Sequence, residues 1–441
     1  GRVLLTAYFI FALLILGLRY VLLPHVEDYR GDLERLLSSS LELPVAIGHI
    51  DAHWNGLNPW LSLHGVQLHD RQHRPALTLD NIEAELSWTS LLFFDLRLKR
   101  LELLAPSLNI RRDPDGRITI AGLPVDTHAN TQDNALAEWV LAQPRVIIRD
   151  ARIEWNDQWR NAPPLTLSRL NLLLQNNGRR HRFGLTAEPP EALASRLDLR
   201  GDFRGSDPGH LADWQGDAYV ALDYADLAIW RQWVDYPVKL SRGSGAVRLW
   251  ASVARQQAIA MTADIALHDV ELQLGKSQPA ITLQSLTGRV EGRVRKNGYA
   301  ASARHLSLRL QDGLHVDPTD FDFDWNDATP QTLVTGSFSA NQLDFDTLAR
   351  LAERLPFDVA TRRQLADYAP RGLLQDLKVS WSLKPPGNPG VDELPVLEKY
   401  GIQASFSRLS LNAQGALPGF TGLTGSVRGD EKGGSFRLDS Q

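Results

Sequence analysis

The chain is 441 residues long, carries a formal net charge of −5 and contains no cysteine. Disulfides, thiol catalysis and Cys-ligated zinc are therefore excluded, and the acidic balance argues against nucleic acid as a main partner. A mean hydropathy of −0.24 excludes a polytopic membrane protein, while the length exceeds one ordinary domain.

The first predicted element is an apolar run over residues 3–23, with Arg19 as its one charge. About 20 apolar residues suffice to span a bilayer, and Arg19 and Tyr20 suit the headgroup zone. A cleaved signal peptide is the rival reading, but no small-x-small cleavage site follows the run. A single-pass transmembrane anchor is favoured. Arg2 before it, and Glu27 and Asp28 after it, place the N-terminus inside by the charge rule. The chain starts at Gly1 without Met and stops at Gln441 within a strand pattern, so the expectation is a piece of a longer protein.

After Pro24, Tyr29, Leu33, Leu36, Leu37 and Leu41 recur at helical spacing, and the helix must end before Pro44. Such a helix can cap the first edge of a sheet by covering its unpaired groups, or lie on a membrane surface. From residue 45 a period of two takes over. Phe321, Phe323 and Trp325 alternate with Asp322, Asp324 and Asn326, and Leu377, Val379, Trp381 and Leu383 share one face. Turn signals at Asp113–Gly116 and Asn297-Gly298 separate short strands.

Eight segments share a template, apolar-x-apolar-x-x-apolar-x-apolar: 61–68, 77–84, 96–103, 165–172, 265–272, 281–288, 338–345 and 404–411. The extra residue would flip the second half of a plain strand to the other face. A β-bulge or tight bend at the x-x pair restores the facing and keeps one side apolar throughout. A longer repeat relates residues 222–228 to 343–349, each opening a helical stretch. The expected organisation is an anchor over 1–23 and a cap region over 24–125. Two strand-rich modules follow, 126–260 with a helix near 225–236 and 261–441 with a helix near 344–368. A further helix is expected near 134–143.

Active-site chemistry is not in evidence. His64, His69, Asp70 and His73 lie close in sequence, but strand alternation puts His64 and His69 on opposite faces, so a metal site is not expected. Asp320, Asp322 and Asp324 lack the Gly and Glu positions of a calcium loop and read as a solvated strand face. Gly243-Ser-Gly245 fits neither a phosphate loop nor a nucleophile elbow. Trp54 and Trp60, near the anchor, suit either an ordinary core or lipid headgroups. No cofactor is implied, and the expectation is not an enzyme.

An apolar sheet face can be packed against other layers or left open as a trough. A trough suits acyl chains, because two-chain lipids expose roughly 30 methylenes at about 0.8 kcal/mol each in water. Composition and period do not separate the two. The segments VEDYRGDLERLLSSSLELPVAIGHIDAHWNGLNPWLSLHGVQLHD (26–70) and LTLDNIEAELSWTSLLFFDLRLKRLELLAPSLNIRRDPDGRITI (77–120) resemble the N-terminal region of the AsmA-like family, in particular its YhdP branch. LSWTSLL (86–92) and the paired LD[YF]xxLA modules carry the resemblance furthest.

That resemblance implies an inner-membrane anchor, a periplasmic body with a chorein-like N-terminal cap, and a mainly β fold curled into a long open hydrophobic groove. It implies carriage of phospholipid between inner and outer membranes, with other envelope proteins as possible partners. Representative groove residues are Leu77, Leu79, Ile82, Leu96, Leu98, Leu101 and Leu103, then Leu165, Leu167, Leu170, Leu172 and Leu174. Ile265, Leu267, Val270, Leu272, Ile281 and Leu283 complete the set. The alternatives are a scaffold that helps outer-membrane proteins assemble through exposed strand edges and, third, an envelope hydrolase.

Overall fold

The computed structural model describes residues 1–56, 58–70, 75–87, 98–121, 123–125, 135–206, 213–236, 238–275, 278–327, 333–352, 354–355, 359–384, 396–415 and 418–439. The N-terminal apolar run forms helix α1 (Arg2–Gly17), a π turn over Leu18–Leu22 and a 3-10 turn over Leu23–Tyr29. Among the described residues no helix is long and apolar enough to cross a membrane. The expected uninterrupted helix over 3–23 is thus broken after 16 residues, which reach only ~24 Å at 1.5 Å per residue. Gly17 lacks a Cβ, and Pro24 lacks an N–H and crowds the carbonyl four residues back; both favour a widened turn between them.

Helix α2 (Arg30–Leu41) follows, with Glu42 in the left-handed conformation at its C-terminus. Its apolar stripe buries Leu37 and Leu41. Its polar side chains serve the first strands, β1 (Val45–Ala46) and β2 (His49–Asn55). Val45 N donates to Ser38 Oγ and Ile47 N to Glu34 Oε1, and Glu27, in the turn before the helix, accepts from Ile50 N. Arg30 Nη1 donates to Gly48 O. The helix therefore caps the sheet's opening edge, as its position before the first strand predicts.

Two compact units partition the chain: Gly1–Tyr219 with Ala254–Gln256, and Val220–Val253 with Gln257–Gln441. The first holds β3 (Asn58–His69), β4 (Pro75–Leu86), β5 (Leu98–Leu104), β6 (Ser107–Arg112), β7 (Ile118–Ile120), β8 (Leu123–Val125) and helix α3 (Ala135–Ala142). It continues through β9 (Arg145–Asp157), β10 (Leu165–Asn177), β11 (Arg180–Glu188) and β12 (Leu197–Arg204). Antiparallel ladders join β3 to β4, β4 to β5, and β9 through β12 in order. β5 and β6 both pair in parallel with β9.

β13 (Gln215–Asp226) and β14 (Lys239–Ala254) span the division, with helix α4 (Leu227–Trp230) between them. The second unit runs as β15 (Gln257–Gln273), β16 (Ile281–Arg295), β17 (Gly298–Leu310), β18 (His315–Asn326) and β19 (Val334–Asp344). After α5 (Phe345–Leu351) and α6 (Val359–Tyr368) come β20 (Arg371–Lys384), β21 (Val396–Leu411), β22 (Phe420–Asp430) and β23 (Gly433–Leu438). Each strand from β15 to β23 pairs antiparallel with the next.

Four of the eight expected segments, 61–68, 165–172, 265–272 and 404–411, carry a left-handed residue at the x-x pair, and three further strands share this backbone signature. Gly65, Ala105, Asp150, Arg169, Asp269, His305, Asp376 and Arg408 all have φ between 46° and 62°. Except for Ala105, which follows the end of β5, each is the second residue of an x-x pair within its strand. Registers shift beside several of them, between Leu167 and Leu170, between Ala303 and Leu306, and between Phe406 and Leu409. In β5 the register against β4 shifts at Lys99, within the expected pair, while the left-handed residue is Ala105, after the strand's end; Asp80 and Asn81 stay within β4. Leu79 and Ile82 keep one face because their partners Val66 and Leu63 flank the bend at Gly65.

The longer repeat is present but out of phase. Asp226 caps α4 by accepting from Ile229 N, and Asp344 caps α5 by accepting from Asp346 N and Thr347 N. In the aligned repeat Asp344 corresponds to Asp223, so the two helices start one turn apart.

Candidate functional site

In each unit the bends keep one sheet face apolar, but that face is closed in some places and open in others. In the first unit Leu79, Ile82, Leu98 and Leu101 are buried with Val146, beneath Leu37 and Leu41 of α2. Leu77, Leu103 and Leu174 pack against this cluster, as do Leu136, Trp139 and Val140 of α3. Leu170, only 2% exposed, meets Ala151 and Ala187, with Ile148, Ile153, Leu167, Leu172 and Leu185 around them. Those eight residues all lie on β9, β10 and β11. Leu165 is buried as well. Leu96 lies outside the described residues.

In the second unit Leu267, Val270, Ile281 and Leu283 are buried with Leu310 and with Leu351 at the end of α5. Ile265, Leu272, Leu227 of α4 and Tyr236 pack beside them. Burial, and to a lesser degree the charge of Asp226, pushes the Tyr236 phenol up to about 12. Apart from Leu96 and Leu165, each proposed groove residue lies within or against an apolar cluster supplied by the chain itself.

Beyond the bends the face of the second unit is built differently. Ala340, Leu377 and Ala404 form a cluster with Phe321, Phe338, Leu343, Leu374, Val379 and Val427, all from strands. The ladders extend this face in both directions. Tyr299 lies opposite Trp325, Phe323 opposite Phe338, Phe338 opposite Val379, and Val379 opposite Ile402. Val427 lies opposite Phe436 at the far side. Phe323 is within ring contact of both Tyr299 and Trp381. Toward the strand ends the side chains stand open to solvent: Tyr299 is 49% exposed, Tyr400 44%, Ile402 37% and Phe436 55%. An apolar ribbon therefore crosses seven strands, β17 to β23, about 30 Å at ~4.8 Å per strand. Gly336 lies opposite Trp381, and a Cβ there would meet the indole at 2.3 Å, so the glycine makes room for the ring.

The opposite face is ionic. Arg289 lies opposite Asp264 and binds it through Nε at 2.5 Å; Arg295 reaches Asp324 at 2.6 Å. Arg304 pairs with Asp322, and Arg180 with Asp202. The arginine hydrogen bonds hold the Asp264 and Asp202 carboxyls below their ordinary range. The aspartate row of β18 is thus engaged by arginines, and Asp320 accepts from His305 N. His64 contacts Asn81 and Asp51, while His73 lies outside the described residues. Among the described residues no group of three or more His, Asp or Glu could hold a metal.

The exposed aromatic wall did not figure among the groove residues read from sequence. Its signal was present in the alternations of 321–326 and 377–383. What sequence could not supply was which part of the apolar face the short helices would cover.

The chain is mainly β and bent at recurrent bulges, with an ionic face and, in the second unit, an apolar face left partly uncovered. The family model described as YhdP protein matches residues 2–441, and the chain belongs to that family. No curated protein and no solved structure matches the chain.

Proposed function

We propose that the chain carries phospholipid between inner and outer membranes, with acyl chains lying on the uncovered apolar wall of the second unit and headgroups remaining in water. The carrying observation is the strand-only surface around Ala340, Leu377 and Ala404, continued by half-exposed Tyr299, Tyr400, Ile402 and Phe436. Contiguous apolar surface of this kind marks an interaction site. Each methylene it withdraws from water contributes about 0.8 kcal/mol, with no catalytic group required. Membership of the YhdP family supports the same reading. Placement of the body in the periplasm and anchoring through residues 1–23 belong to the proposal. Leu5, Tyr8, Phe9, Leu13 and Leu16 of α1 are all exposed, as an element that meets lipid or another apolar surface requires.

Lipid copurifying with the full chain, identified and counted by mass spectrometry, tests the proposal. Phe338→Asp and Ile402→Asp should each lower bound phospholipid at least fivefold, while Ser337→Asp and Gln403→Asp, on the other face, should leave it unchanged. Equal losses from both faces would refute carriage on the wall.

A further inference from the structure

The wall of the first unit is not continuous. β5 pairs with β4 from Leu98 opposite Leu86 to Leu104 opposite Asn81. There Ala105 turns to φ 49°, and Pro106, which has no N–H to donate, precedes β6. β6 stays on β9, from Ser107 beside Arg152 to Arg112 beside Asp157. It does not return to β4: no ladder joins the two among the described residues. Asn109 O accepts instead from Ala121 N, and Ile110–Arg112 pair with β7. Residues 75–80 of β4 thus have β3 on one side and, among the described residues, no ladder partner on the other.

An opening of about 790 Å³ occupies this seam. Consecutive residues line it: Ala76, Leu77 and Thr78 from β4, and Ser107, Leu108 and Asn109 from β6. Neighbours along a strand point to opposite faces, so a hollow on one face of an intact sheet is lined by alternate residues. Leu108 lies beside Ile153, on the apolar face, and Asn109 beside Glu154, on the polar one. Residues of both faces thus line one opening. On its polar side it is rimmed by Asp80, Arg111, Arg152 and Glu154, charges of both signs. On its apolar side it meets Leu77, which packs against the buried cluster under α2.

We infer that this seam is a lateral window through which an amphiphile with a charged head and an acyl tail passes from the polar side of the sheet onto the apolar face. The rim charges hold the head while Leu77 and Leu108 receive the tail. The inference rests on the carriage reading and adds a point of entry to it. It also accounts for the stretch of β4 that has no second ladder partner among the described residues, where pairing would otherwise be the lower-energy arrangement.

The absence of cysteine makes the test direct. In the full chain, Thr78→Cys and Asn109→Cys are bridged by a reducible bis-maleimide linker. The chain is then exposed to phosphatidylglycerol vesicles carrying a diazirine in one acyl chain, and adducts are mapped by mass spectrometry. The unbridged chain should give adducts at Leu77 or Leu108 and on other apolar-face residues. Bridging should lower the apolar-face adducts at least fivefold, reduction of the linker should restore them, and either single-cysteine chain treated alike should be unaffected. Apolar-face adducts that persist undiminished in the bridged chain overturn the window and leave carriage standing. A loss that reduction does not reverse also overturns it, since the linker is then not the block. No apolar-face adduct in the unbridged chain overturns carriage and the window together.

Discussion

A residue that steps out of a ladder at a bulge orphans its N–H, and here the next strand supplies the acceptor. His305 N donates to Asp320 Oδ1 at 2.6 Å, Asp150 N to Asn171 Oδ1 at 3.3 Å, and Arg408 N to Thr424 Oγ1 at 3.3 Å. Asp320→Ala should cost about 0.5–1.5 kcal/mol, the net contribution of a hydrogen bond that water can replace, in denaturant unfolding. Asp324→Ala, which removes only a part-exposed ion pair with Arg295, should cost less than about 1 kcal/mol. Leu170 follows another bulge and is fully enclosed, so Leu170→Ala should lose about 2–5 kcal/mol. Its neighbour Asn171 is no neutral control for the polar face, because its side chain also donates to Arg169 O. Leu173, exposed on the polar face, is the better one. Tyr236, buried beside α4, should ionise only near pH 12. The folded state therefore holds a proton that the unfolded chain releases near 10, and this stabilisation is present below pH 10 and lost as pH rises toward 12. Absorbance titration that loses its highest step in Tyr236→Phe checks the assignment.

At the scale of elements, α2 joins sequence to sheet. Glu34→Ala should unprotect the Ile47 amide in hydrogen exchange, because Glu34 Oε1 is its acceptor, while leaving the Val45 amide protected by Ser38. The helix and its capping role were legible from the spacing of Leu33, Leu37 and Leu41 and from its place before the first strand. The bends were legible too, since the apolar template requires one extra residue at each. The left-handed turn at Ala105 was not, because Pro106 and the parallel pairing of β5 and β6 with β9 are tertiary facts absent from the local pattern. The apolar run of residues 3–23 carried composition but no sign of where Gly17 and Pro24 would change the helix type. The Arg–Asp pairs across strands give a further test. Depressed carboxyl pKa values at Asp202 and Asp264 contribute stability above the unfolded value of about 3.9, and it is lost as pH falls through the lower folded values. Arg289→Gln should therefore flatten the acid end of the stability profile.

Across the whole molecule, the same alternation that makes strands also decides what they are for. In each unit one face carries paired charges and the other an apolar surface, which helices close near α2 and α3 in the first unit and near α4 and α5 in the second, where it stays uncovered along Tyr299, Phe338 and Ile402. Which parts of the apolar surface would be covered was hidden from sequence, since the helices that do the covering are distant in the chain from the strands they meet. Leu351, for example, packs with Leu267 and Leu310. The most direct measurement is photo-crosslinking in membranes, with a photoreactive amino acid placed singly at Tyr400, Gly401, Ile402, Gln403 and Ala404. The account predicts phospholipid adducts at 400, 402 and 404 and none at 401 and 403. Adducts independent of parity, or protein adducts in place of lipid at 400, 402 and 404, would contradict it.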